Sequence, residues 1–203
     1  MNIKWLIILS ILFCSKPSYS QSDKDIDVRN VSKVTILNPG LSYELRIGQQ
    51  QTLYGQACMN ILAYYSYSSS LGTNSGVNLD PAAVLQYRFY YNAMKRSEKG
   101  KRTEMNSMNY LAAFFETLLI KQHSDYYVPA FKFSPYTTLG FVWGMQRNYS
   151  SRFSLDVLVG PGYYFSNESY YDPAEPSHKI KQNYSGFSLI TTINIGFWLN
   201  RKT

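Results

Sequence analysis

Few residues in this chain are of the kinds that do covalent chemistry. There are two histidines, His123 and His178, and two cysteines, Cys14 and Cys58. His123 stands directly before Ser124 and Asp125, the residue types of a nucleophile and base relay. Such a relay is an arrangement in space, with the base in hydrogen-bond reach of the proton it takes, and adjacency along the chain does not supply one. Both histidines fall in segments without periodicity, where an imidazole is most often simply solvated. No glycine-rich phosphate loop, no metal-spaced cluster and no nucleic-acid module is present. The sequence therefore assigns no catalytic residue, metal or cofactor, and the chain is not read as an enzyme. Cys58 reads as a small inward packing residue.

What remains is ionic. Glu44, Arg46, Arg88, Glu116, Arg152 and Asp156 lie on the polar side of alternating segments, three acids and three bases that can neutralise one another. A second cluster, Lys95-Arg96-Ser97-Glu98-Lys99-Gly100-Lys101-Arg102-Thr103-Glu104, holds five bases and two acids and lies between two such segments. Clustered bases of this kind suit anionic lipid headgroups or peptidoglycan, and a plain solvated turn is the competing reading.

The elements that position these charges are strands. Successive side chains of a strand point to opposite faces, so alternation with period 2 is the signal. It is cleanest from Gly186 to Leu199, where Phe187, Leu189, Thr191, Ile193, Ile195, Phe197 and Leu199 oppose Gly186, Ser188, Thr192, Asn194 and Gly196. Eight segments are predicted: 31–38, 40–48, 51–67, 80–93, 107–121, 134–148, 151–167 and 184–200. Short links at 48–51 and 148–151 alternate with longer ones at 68–79, 122–133 and 167–183. The link Asn38-Pro39-Gly40 is short for its side, and the basic link 95–106 is long for its own.

Composition decides what the greasy side meets. There are 19 Tyr, 11 Phe and 3 Trp, while only 16% of residues are charged, against roughly 25% in ordinary soluble domains. The apolar rows lack Lys and Arg over most of their length, and Tyr65, Tyr67, Tyr87, Tyr91 and Tyr163 cluster near strand ends, as interfacial girdles do. In lipid every backbone polar group must be paired, and a closed sheet is the β solution. The fold class expected is all-β, an eight-stranded antiparallel up-and-down transmembrane β-barrel over residues 31–200. Eight strands leave room inside for side chains or one small ligand, so the six charges are expected to plug the lumen.

Residues 1–20 carry Lys4, an apolar run from Trp5 to Phe13 and small residues at Ser18 and Ser20, the pattern of a cleavable secretory signal. That run is too short for a membrane-spanning helix, which needs roughly 20 residues. Phe13 before Cys14 is too large for lipoprotein cleavage. Residues 21–30 are polar and read as a flexible periplasmic lead-in.

With these elements in place, the chain resembles the small eight-stranded outer-membrane barrel proteins of Gram-negative bacteria. The likeness rests on Asn-Pro-Gly-Leu-Ser-Tyr-Glu at 38–44, on the strand from Pro81 to Tyr91 with Arg88 flanked by aromatics, and on Arg-Phe-Ser-Leu-Asp-Val-Leu-Val-Gly-Pro-Gly-Tyr at 152–163. It implies residence in the cell outer membrane, with outer-membrane lipid and the barrel assembly machinery as partners. These motifs are topological and transfer no active site. The chain departs from that family's aromatic last residue, since Leu199 to Thr203 follow Phe197 and Trp198. The function expected is a structural or surface-interaction role. The alternatives are a lipid-modifying enzyme working at the rim through His123 or His178, and a narrow pore.

Overall fold

A computed structural model of the chain describes residues 28–68, 72–122, 132–171 and 179–200. The leader, residues 21–27 of the lead-in, both histidines and residues 201–203 lie outside the described residues.

Alternation becomes a single antiparallel sheet. Its strands are β1 (Val31–Thr35), β2 (Gly40–Gly48), β3 (Gln51–Ser68), β4 (Gly72–Phe89), β5 (Asn109–Gln122), β6 (Lys132–Asn148), β7 (Phe153–Tyr171) and β8 (Lys179–Trp198). Each pairs with its neighbours in chain order, and β1 pairs with β8, so the sheet closes into a barrel-like ring. The rim holding residues 28 and 200 is called the lower rim here. Closure is narrow: β1 meets β8 only over Lys33↔Trp198, Val34↔Phe197 and Thr35↔Gly196. Backbones approach so closely at this join that a Cβ on Gly196 would lie 2.0 Å from the Val34 carbonyl oxygen, which excludes every residue but glycine.

The upper strands run longer than the sequence pattern predicts. β4 begins at Gly72 rather than near 80, because Thr73 to Leu79 pair with Ile61 to Tyr67. β7 and β8 likewise extend their pairing beyond the predicted ends, as far as Tyr171↔Lys179. The first of these stretches is rich in Asn, Ser and Gly and the others in charged and polar residues and Tyr, so their alternation does not show in hydropathy even though their backbones pair. The first hairpin is much shorter. Its last backbone–backbone bonds to its neighbours are Ile36 N to the Ile195 carbonyl at 2.7 Å and Met59 N to the Pro39 carbonyl at 2.9 Å, and above them Ile61 N donates to Asn38 Oδ1 at 3.5 Å. Above them β8 pairs only with β7, and β3 only with β4.

The predicted greasy rows face outward. Leu41, Leu85, Phe141, Leu189 and Ile193 are all exposed, Phe141 by 75% and Phe187 by 89%. The opposite rows are buried in the ring, apolar at Val84, Ala112, Phe114, Val142, Leu158 and Ile190 and polar both below and above them. The glycine at 144 serves this interior directly. A Cβ there would fall 2.1 Å from the Tyr110 ring, so the missing side chain is the space the ring occupies.

The long basic link is not a loose turn. It forms α1 (Ala93–Glu98) and a 3-10 turn (Glu104–Asn106) that fold under the lower rim. Ala93, Met105 and Met108 are buried there, together with Val28. Met105 and Asn106 both have positive φ, 52° and 60°, a conformation that is strained for Met. Packing and hydrogen bonds hold it: the Asn148 amide donates to the Met105 carbonyl, and Asn106 exchanges two bonds of 2.8 Å with the backbone of Arg29. Val28 N also bonds the Gln49 carbonyl. The described end of the lead-in, 28–30, is thus fixed to the ring rather than free.

Candidate functional site

The polar rows converge just above the lower rim. Arg88 on β4 is fully buried and spends its guanidinium on three partners: Nε donates to Gln86 Oε1 at 2.7 Å, Nη1 to Gln146 Oε1 at 2.8 Å and Nη2 to Asp156 Oδ2 at 2.9 Å. Its flat faces lie against the rings of Tyr54 at 3.8 Å and Tyr110 at 4.3 Å. A desolvated guanidinium against aromatic faces gains about 2 kcal/mol from such contacts. The Tyr110 hydroxyl donates to the second Asp156 oxygen at 2.7 Å. Both oxygens of that carboxylate are therefore engaged.

Glu44 on β2 forms the other half. Its Oε1 accepts from Thr52 at 2.7 Å and from the Tyr90 hydroxyl at 2.5 Å, and its Oε2 accepts from Gln146 Nε2 at 3.2 Å. Lys33 Nζ on β1 donates to Gln146 Oε1 at 2.6 Å. Gln146 thus joins the halves, accepting from both bases and donating to one acid. Tyr54 continues upward by donating to Gln56 Oε1 at 2.9 Å. Two bases and two acids balance, and every strand except β8 contributes a side chain.

Chemically this is a rivet. Buried charges are tolerated when paired and fully hydrogen-bonded, and here donors and acceptors are turned on one another. Little free space adjoins them. A cavity of about 10 Å³ lies beside Lys33 and Asp156, and one of about 20 Å³ lies higher up beside Glu116. Each has room for about one water. The cluster ties distant strands together.

Of the six charges expected in the lumen, the structure brings together three: Glu44, Arg88 and Asp156. Arg46 is exposed at the lower end of β2, next to the irregularity between Arg46 and Gly48. Its parity is inward, but the ring has ended there. Arg152 is exposed in the β6–β7 turn at φ 70°, with its guanidinium 5.8 Å from the Trp198 ring. Glu116 does face inward, but it is half-buried and lines the upper cavity apart from the cluster. Cys58 lines that cavity too, as its inward reading requires.

The cluster also contains residues the sequence reading missed. Lys33 sits in a strand of five residues, too short for period 2 to stand out. Tyr54 and Tyr110 were hidden because tyrosine counts as apolar in the rows, while Tyr90 falls in the inward row with Arg88 but carries no charge to single it out. Parity was the available signal, since Tyr90 follows Arg88 by two and Tyr110 precedes Glu116 by six. Compared with known proteins, the chain finds no match: no family model fits it, and no curated protein or solved structure resembles it.

Proposed function

We propose that this chain is an eight-stranded outer-membrane β-barrel with a plugged lumen and a structural or surface-interaction role. One observation carries the reading: the ring is apolar outside and ionic inside. Phe141, Phe187 and Leu189 are 75%, 89% and 71% exposed, while Arg88 and Glu44 are 0% exposed. A water-soluble barrel has the reverse arrangement, and exposed apolar surface of this extent marks a contact with lipid or protein. Tyr43, Tyr91, Tyr149 and Trp143 ring the lower part of that surface, where Trp143 Nε1 donates to the Tyr91 hydroxyl at 2.7 Å. Such rings suit a headgroup boundary.

On this reading residues 1–20 direct export from the cytoplasm, the assembly machinery inserts the strands, and the lower rim faces the periplasm. The basic segment 95–104 then lies beside the inner-leaflet headgroups or peptidoglycan. Lys95, Lys99 and Lys101 are exposed there, while Arg102 pairs with Glu104 at 2.9 Å. The test is fractionation followed by refolding into phosphatidylcholine vesicles. The protein should sediment with outer membranes, need detergent for release and migrate faster on gels before boiling than after. Recovery as a soluble periplasmic protein would sink the proposal.

A further inference from the structure

The wall of the ring is incomplete on one side. Above the Thr35–Gly40 turn, among the described residues, β8 up to Lys179 has only β7 beside it and β3 up to Ser68 has only β4. The gap between them does not lie above the greasy surface, for Phe187, Leu189 and Ile193 on β8 and Ile61 on β3 carry exposed apolar side chains alongside it. Level with its lower edge is the upper cavity, which Asn38 of the turn itself lines together with Asn60, Glu116, Thr192 and Asn194.

That cavity has an unmatched demand for donors. Asn194, which lines both this cavity and the lower one, is 7% exposed and its Oδ1 has no hydrogen-bond partner. Glu116 has no ion pair among the described residues, and no Lys, Arg or His lines the cavity. Its floor is apolar, at Phe114 and Leu158. The space of about 20 Å³ admits a single small polar group.

We propose that this side opening and cavity form a binding site for amine-headed amphiphiles. The ammonium enters sideways from the bilayer, donates to Glu116 and Asn194 Oδ1, and leaves its alkyl chain in the gap between β8 and β3. The Glu116 carboxylate, with no Lys, Arg or His among the lining residues, selects a cation over an anion. A tail is favoured because it lies along the exposed apolar side chains that flank the gap, Phe187, Leu189 and Ile193 on β8 and Ile61 on β3. The sideways route rests on the membrane reading above.

Cys58 lines the same cavity and reports its occupancy. Protein refolded into neutral detergent or phosphatidylcholine vesicles is treated with a small maleimide, and the rate at Cys58 is followed by peptide mass. Decylammonium at about ten times its Kd should slow that rate about tenfold by mass action. Decyl sulfate and decanol should not, and Glu116→Gln should abolish protection while Glu116→Asp keeps it. An unchanged rate, equal protection by all three amphiphiles, or protection surviving in Glu116→Gln would each overturn the site. Should Cys58 react too slowly to follow, the Asn194 side-chain amide resonance serves, with a saturating shift supporting the site and its absence overturning it. Vesicle flotation and heat-dependent migration test the membrane reading separately. Methylammonium, which needs no bilayer, separates a polar site that ignores the tail from one that uses it: protection by methylammonium as strong as by decylammonium would refute the sideways route.

Discussion

Replacing Arg88 with methionine keeps most of the side chain's bulk between Tyr54 and Tyr110 and removes its charge. Asp156 would then be left buried with the Tyr110 hydroxyl as its remaining partner. Stranding a buried carboxylate costs about 3–5 kcal/mol, so Arg88→Met should lower stability by that order in urea titrations of the refolded protein. Adding Asp156→Asn should return part of the loss, and a double-mutant cycle measures how much. Strict additivity would show that the pair does not act as a unit. Gly144→Ala tests the same cluster from its wall, since the new Cβ collides with the Tyr110 ring. Overpacking of this kind costs about 1–3 kcal/mol, and Tyr110→Ala in the same chain should remove most of that increment. At this scale Glu44, Arg88 and Asp156 were legible, and Lys33 and the aromatic supports were not. A carboxylate on an inward row declares itself, whereas tyrosine is greasy along its ring and polar at its tip, so composition cannot say which end matters.

Among the elements, the lower cap has the least obvious sequence and a definite role. Asn106 joins the 3-10 turn to Arg29 by two hydrogen bonds and does so at φ 60°, which asparagine tolerates better than most residues. The two contributions can be separated. Asn106→Gly keeps the backbone conformation and loses the bonds, about 1 kcal/mol each, while Asn106→Ala loses the bonds and adds left-handed strain of about 1 kcal/mol more. Both should speed hydrogen exchange at Val28 and Arg29 N–H, with alanine the faster; equal rates in the two variants would show that strain plays no part. The strands themselves were readable because lipid-sized rows of alternation leave little choice. The cap was not. Its charges outnumber its three buried apolar side chains, Ala93, Met105 and Met108, and nothing local says that Val28, far away in sequence, completes their packing.

For the molecule as a whole, the sign of the outer surface is the property to test. Phe141→Arg places a guanidinium on the most open part of β6, where the native ring is 75% exposed. On a surface facing water such a change stays within about 0.5 kcal/mol, whereas near the bilayer midplane it costs about 2–4 kcal/mol. Unfolding from vesicles decides between the two, and a near-zero effect would count against lipid contact. The ring's order of strands was legible from eight alternating runs, but its uneven height was not, because Gly72 to Leu79 pair by backbone and carry little hydropathy.

The three-pair join between β1 and β8 gives this architecture a weak meridian. Elsewhere adjacent strands are laced over long ladders, up to the whole of β7 with β8, yet here the first and last strands share three steps before Ser32 and Asn200 fasten the bottom. Under tension on its two ends the circle should unzip along that line while the remaining hairpins stay whole. Refolding should likewise finish there, so that a cross-link between positions 33 and 198 would abolish the slowest step without altering the earlier ones.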